Sequence, residues 1–175
     1  MDYLVIKYLH ILSATLLLGT GLGSAFYKWR ADKSGDLASI AFTNKNVVLA
    51  DWLFTTPTVV LQPLTGLLLA YRQGYFFSAP CVLQPCLLPP FLFPPWLWLS
   101  IALFFIAGVC WLLVVYLQLK MRDTSIDALN TQSELPLTYK DQAKIWFWLG
   151  IPAFSSILLV YALMIVKPAF LYQLR

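Results

Sequence analysis

Four stretches of this chain are long and apolar enough to cross a hydrocarbon layer, and that limits the fold more than any other feature. They cover residues 3–26, 47–71, 96–119 and 145–166. A bilayer core of ~30 Å needs about 20 helical residues at ~1.5 Å each. Inside lipid no water is available to the peptide groups, so only helices or closed barrels can span. Four strands cannot close a barrel. The expected fold is therefore all-α, a four-helix transmembrane bundle forming one integral membrane domain over residues 1–175. Composition agrees: 60% of residues are hydrophobic and 11% charged, against about 25% charged in soluble domains. The N-terminal stretch begins Met1, Asp2, Tyr3 and lacks a basic leader region, so it reads as a retained helix rather than a cleaved signal.

The segments between the runs differ in kind. Residues 27–46 carry Lys28, Arg30, Lys33 and Lys45, and residues 120–144 carry Lys120, Arg122, Lys140 and Lys144. Both are polar connections long enough to extend helices beyond the bilayer. Residues 72–95 hold one charge, six prolines and many aromatics. Proline at that density forbids a regular helix, so this segment is expected to fold onto the membrane surface or the bundle mouth. The remaining basic residues are Lys7, Arg72, Lys167 and Arg175. The positive-inside rule places the two basic connections in the cytoplasm and both termini outside. The bacterial cytoplasmic membrane is the expected location, and the clustering speaks for orientation rather than nucleic-acid binding. Trp96, Trp98, Trp146, Trp148 and Tyr172 fall near expected helix ends, where an aromatic belt would lie.

Polar side chains within the spans carry the functional signal, because each needs a partner in lipid. Asp51, Thr55, Thr58, Gln62 and Thr65 recur at spacings of 4, 3, 4 and 3, one face of a helix. That stripe should point into the bundle, as interhelical hydrogen-bond glue or as the lining of a ligand pocket. Pro57 and Pro63 interrupt the same helix. In the first run Lys7 and His10 lie three apart on one face, with Lys7 close enough to the surface to snorkel. His10 is the only histidine. Three readings stand for it: an interhelical hydrogen bond, a proton-handling group, or an axial ligand of haem b, with Met164 at a similar depth as second ligand. Gly19 and Gly23 form G-x-x-x-G, the pattern that lets helices approach closely. Pro152 predicts a kink one turn inside the end of the fourth helix.

Other chemistry is sparse. No phosphate-binding glycine loop, zinc-protease motif or Ser/His/Asp set is present, and no metal site is expected. Cys81 and Cys86 fall in the proline-rich segment and suit free thiols or a disulfide better than a soft metal.

The runs KYLHILSATLLLGTGLGSAFYKWRA, NVVLADWLFTTPTVVLQPLTGLLLA and WLLVVYLQLKMRD, with a last helix ending VKP, resemble a family of bacterial predicted integral membrane proteins of unknown function. The resemblance covers nearly the whole chain; residues 80–95 look like an insertion. More distantly the chain is similar to HemJ-type protoporphyrinogen oxidases, four-helix membrane proteins that bind haem b. The shared elements are Leu9-His10-Ile11, then Thr55, Pro57, Leu64, Thr65 and Gly66, and Val166-Lys167-Pro168. By that resemblance His10 matches the family's essential histidine. The third helix of those oxidases begins W-L-H-x-K, whereas this chain reads Trp96, Leu97, Trp98, Leu99, Ser100. The resemblance implies a haem- or porphyrin-binding redox protein. The alternatives are a non-enzymatic accessory or self-associating subunit, as a homo-oligomer or in a membrane complex, and a small transporter using Asp51 and Gln62. In every case the lipid bilayer is the first partner.

Overall fold

The computed structural model describes residues 2–75 and 94–167. Its elements are α1 (Tyr3–Ser34), α2 (Leu37–Ala50), a five-residue π-turn (Asp51–Thr55), α3 (Thr56–Arg72), α4 (Pro95–Asn130) and α5 (Leu137–Val166). Because α2, the π-turn and α3 run on as one rod, four rods are long and apolar enough to cross a membrane. The described residues thus form an all-α bundle with four candidate spans. The proline-rich segment beyond Tyr75, with Cys81 and Cys86, lies outside the described residues, as does Tyr172.

The helices outrun the apolar stretches at the basic end. α1 continues to Ser34 and α2 starts at Leu37, so the expected connection 27–46 shrinks to two residues. Local chemistry explains the sharp turn. Gly35 takes the left-handed conformation at φ 69° that ends α1. Asp36 caps α2, its carboxylate accepting from the Ser39 N–H at 2.9 Å. The Ser39 hydroxyl and then its N–H hold the Asp36 carboxyl below its ordinary range. The cap therefore helps hold the turn above that range and is lost as the pH falls through the lowered value. At the same end α4 runs to Asn130 and α5 begins at Leu137, replacing the expected connection 120–144. Pro152 consequently sits about four turns into α5 rather than one turn from its end.

Burial is inverted relative to a soluble bundle. Large apolar residues such as Phe105, Leu53, Leu64 and Leu112 are exposed, while Ser13, Asn44, Thr58, Ser100, Gln118 and Ser125 are buried. Apolar side chains gain nothing by leaving lipid, so packing and interhelical hydrogen bonds hold the rods together. Trp98 and Trp148 are exposed, as belt residues would be, but Trp96 and Trp146 are buried at 3% and 7% exposure. Trp146 lies well inside the lengthened α5, and Trp96 closes a small core with Ala70 and Leu97.

The basic end is tied by one cation. Lys28 is 1% exposed. Its ammonium donates to Asp32 Oδ2 at 3.0 Å, Asn44 Oδ1 at 3.1 Å and the Tyr139 hydroxyl at 3.1 Å. Tyr139 donates on to Asp32 Oδ1 at 2.7 Å. The Asn44 amide donates to Ser125 Oγ at 3.0 Å and to the Met121 carbonyl at 3.3 Å. The rings of Tyr139 and Trp146 stand 5.2 and 5.5 Å from the ammonium. Thus α1, α2, α4 and α5 all meet at Lys28. Away from this knot the bundle splits: α3 packs along α1, α4 packs along α5, and α3 hardly touches α4 or α5.

Removing the cation would strand its acceptors. Lys28→Met should lower unfolding stability in detergent by about 3 kcal/mol, the low end for a broken buried pair because Asp32 keeps some solvent. A variant as stable as the parent in a denaturant titration would show that the knot does not hold the bundle.

Candidate functional site

The polar stripe on the second rod is buried throughout. Asp51, Thr55, Thr58, Gln62 and Thr65 are each 3–8% exposed. The rod accommodates Pro57 by widening. Proline has no N–H and its ring crowds the carbonyl four residues back. The turn before it is accordingly a π-turn, with the Thr56 N–H bonded to the Asp51 carbonyl. Threonine hydroxyls occupy carbonyls along the same face: Thr58 bonds the Phe54 and Thr55 carbonyls, each at 2.8 Å.

The end of the stripe away from Lys28 meets α1 at His10. Nδ1 lies 2.8 Å from Thr65 Oγ1. The single Thr65 proton goes to the Leu61 carbonyl at 2.6 Å, so the hydroxyl accepts from His10 Nδ1–H. That tautomer leaves the Nε2 lone pair uncommitted. Gln62 Nε2 donates to the His10 carbonyl at 3.0 Å, fixing α1 against α3 one turn away. Gly66 provides the space. A Cβ there would stand 3.2 Å from His10 Cε1, so the ring would have to give by a few tenths of an ångström to admit one.

Between this contact and the Lys28 knot, where the helix pairs part, lies a cavity of about 330 Å³. Its walls come from all four rods and are nearly all apolar; Asp51 is the one ionisable side chain among them. The Thr55 hydroxyl donates to Asp51 Oδ1 at 2.8 Å. Among the described residues Asp51 Oδ2 has no hydrogen-bond partner, and neither do Gln118 Oε1, Trp111 Nε1 and Trp146 Nε1. All four side chains belong to the cavity wall. Gly21, Gly108 and Gly150 also line it, and a Cβ at any of them would meet nothing within 4 Å. The cavity therefore exists because small residues on α1, α4 and α5 leave it unfilled.

A family model described as predicted integral membrane protein, DUF2269, matches residues 4–168. The chain belongs to the DUF2269 family. No curated protein and no solved structure matches it.

Within this DUF2269 protein the expected site residues fall in different places. His10 and Thr65 touch, and Gln62 bonds the His10 backbone. Asp51 and Thr55 face the cavity instead. Lys7 is exposed while its neighbour Ile6 is buried, so Lys7 does not share the inward face of His10. Met164 packs beside the Ala70, Trp96 and Leu97 cluster. The G-x-x-x-G glycines do not bring another helix of this chain close: a Cβ on Gly19 or Gly23 would meet nothing within 4 Å among the described residues. Lys28, Asn44, Gln118 and Tyr139 were not legible as site residues. Lys28 sits in a basic segment that hydropathy assigns to a connection, and Gln118 is a single polar residue near the end of an apolar run. Among the described residues no three His, Cys, Asp or Glu side chains gather as a metal site would.

The lone histidine makes its tautomer directly measurable. In protein labelled with ¹⁵N-histidine, the neutral ring should show a protonated Nδ1 and a bare Nε2. Thr65→Val should shift that pattern. A wild-type spectrum with Nε2 protonated would contradict the hydrogen-bond assignment.

Proposed function

We propose that this protein binds a small amphipathic molecule from the bilayer in the cavity between its two helix pairs. One observation carries the reading: four buried polar atoms without partners lie on side chains that wall one apolar cavity. An unsatisfied buried donor or acceptor costs about 1–3 kcal/mol, so a ligand that supplies the missing hydrogen bonds is favoured. The volume falls at the lower end of ligand pockets, roughly 300–1,000 Å³. Leu22 on α1 and Phe147 and Ile151 on α5 line the cavity and are themselves exposed. The mouth therefore opens toward lipid between α1 and α5, two helices that touch little.

Filling the space tests this. Gly108→Leu places a side chain where nothing stands within 4 Å. It should leave thermal unfolding unchanged or raised while abolishing retention of a co-purifying amphiphile, read by solvent extraction and mass spectrometry of protein in nanodiscs. Identical extracts from parent and variant would overturn the reading.

A second reading is haem b held by His10, favoured by the bare Nε2 that the Thr65 hydrogen bond leaves. A metal-bound histidine commonly donates its other N–H in this way. His10 would hold the iron through Nε2, and Met164, in its Trp96 cluster, would be the other candidate ligand. Haem would supply one-electron chemistry, and His10 would hold its iron with Thr65 fixing the ring. A folded sample supplemented with haem should then show a Soret band that His10→Ala lacks. No band in the parent would remove this reading.

A further inference from the structure

We infer that the ligand of this cavity is a cationic amphiphile whose ammonium head pairs with Asp51, a deepening that rests on the binding function proposed above. An acidic side chain inside a membrane bundle ordinarily has a named partner. Asp32, beside the buried Lys28, has that ammonium at 3.0 Å. Asp51, at 6% exposure, has no cation among the described residues. Thr55 donates to its Oδ1 at 2.8 Å, and its Oδ2 has no hydrogen-bond partner among the described residues.

What surrounds Asp51 suits an incoming cation. Gln118 from α4 stands beside the carboxyl, and its Oε1 is a second acceptor without a donor. An alkylammonium carries three N–H donors, enough for Asp51 Oδ2, Gln118 Oε1 and one further contact. Phe104, Trp111, Phe147 and Phe154 add aromatic faces to the wall, and such rings attract a desolvated cation. The alkyl tail would lie along the apolar remainder toward the lipid-facing mouth. Lys28 does not supply this charge. It approaches the cavity only through the Trp146 ring and commits its ammonium to Asp32, Asn44 and Tyr139. No lysine or arginine lines the cavity to bind an anionic head instead.

The test compares three twelve-carbon probes, dodecylamine, dodecan-1-ol and dodecanoate, on the full chain in nanodiscs. Binding is followed by native mass spectrometry and by quenching of tryptophan fluorescence. Dodecylammonium should bind at least about tenfold tighter than the alcohol, and dodecanoate weakest. Asp51→Asn should erase the preference for the amine while leaving alcohol binding in place. Gln118→Ala should weaken amine binding less, since one acceptor remains. Equal binding of amine and alcohol by the parent protein would overturn the cationic assignment yet keep the cavity as a ligand site. Binding of none of the three would overturn both. The comparison of probes on the parent protein is decisive even if a variant does not fold.

Discussion

A polar group in hydrocarbon has no water to fall back on, and the arrangement of this bundle follows from how that constraint is met. At one end it is met in full. The Lys28 ammonium finds a carboxylate, an amide and a phenol, and the groups it binds also bind one another. Four helical segments are committed to that point, because moving any one of them would leave a charge or a hydrogen-bonding atom bare. Burying an ion pair has a large desolvation cost, and the three acceptors plus two aromatic faces around Lys28 are what offset it.

Away from the knot the constraint is met differently on the two sides of the bundle. α1 and α3 use single hydrogen bonds, from Gln62 to the His10 carbonyl and between His10 and Thr65, with Gly66 providing close approach. α4 and α5 pack directly along their length. Little joins one pair to the other, and small residues face the gap from α1, α4 and α5. The cavity is thus a consequence of topology: the second rod packs along α1 throughout but leaves α4 as it passes through the π-turn at Asp51. The widened turn forced by Pro57 lies at the switch, which is how one carboxyl comes to stand at the wall of an otherwise apolar space.

The contrast between Lys28 and Asp51 is informative. Both are buried ionisable residues, and the chain places one in a complete hydrogen-bond shell and the other in an incomplete one. The first arrangement holds the bundle together. The second leaves carboxyl, amide and indole atoms without hydrogen-bond partners among the described residues.

How far the sequence reaches can be judged residue by residue. Hydropathy alone gives four helical crossings, because nothing else can satisfy a backbone in lipid, and the 4-3-4-3 spacing alone puts Asp51 to Thr65 on one buried face. The short turn at Ser34-Gly35-Asp36 was also written locally, as a left-handed cap followed by a carboxylate cap, but polarity masked it and the stretch reads as a loop. Helix ends beyond the bilayer carry no hydropathy signal. The pairing of His10 with Thr65, 55 positions apart, the gathering of Asp32, Asn44 and Tyr139 around Lys28, and the open space at Gly19 and Gly23 could be settled only by how the rods pack. Periodicity specifies which face of a helix turns inward. It says nothing of which neighbour that face meets, and in a bundle held by a few polar contacts that choice belongs to tertiary structure.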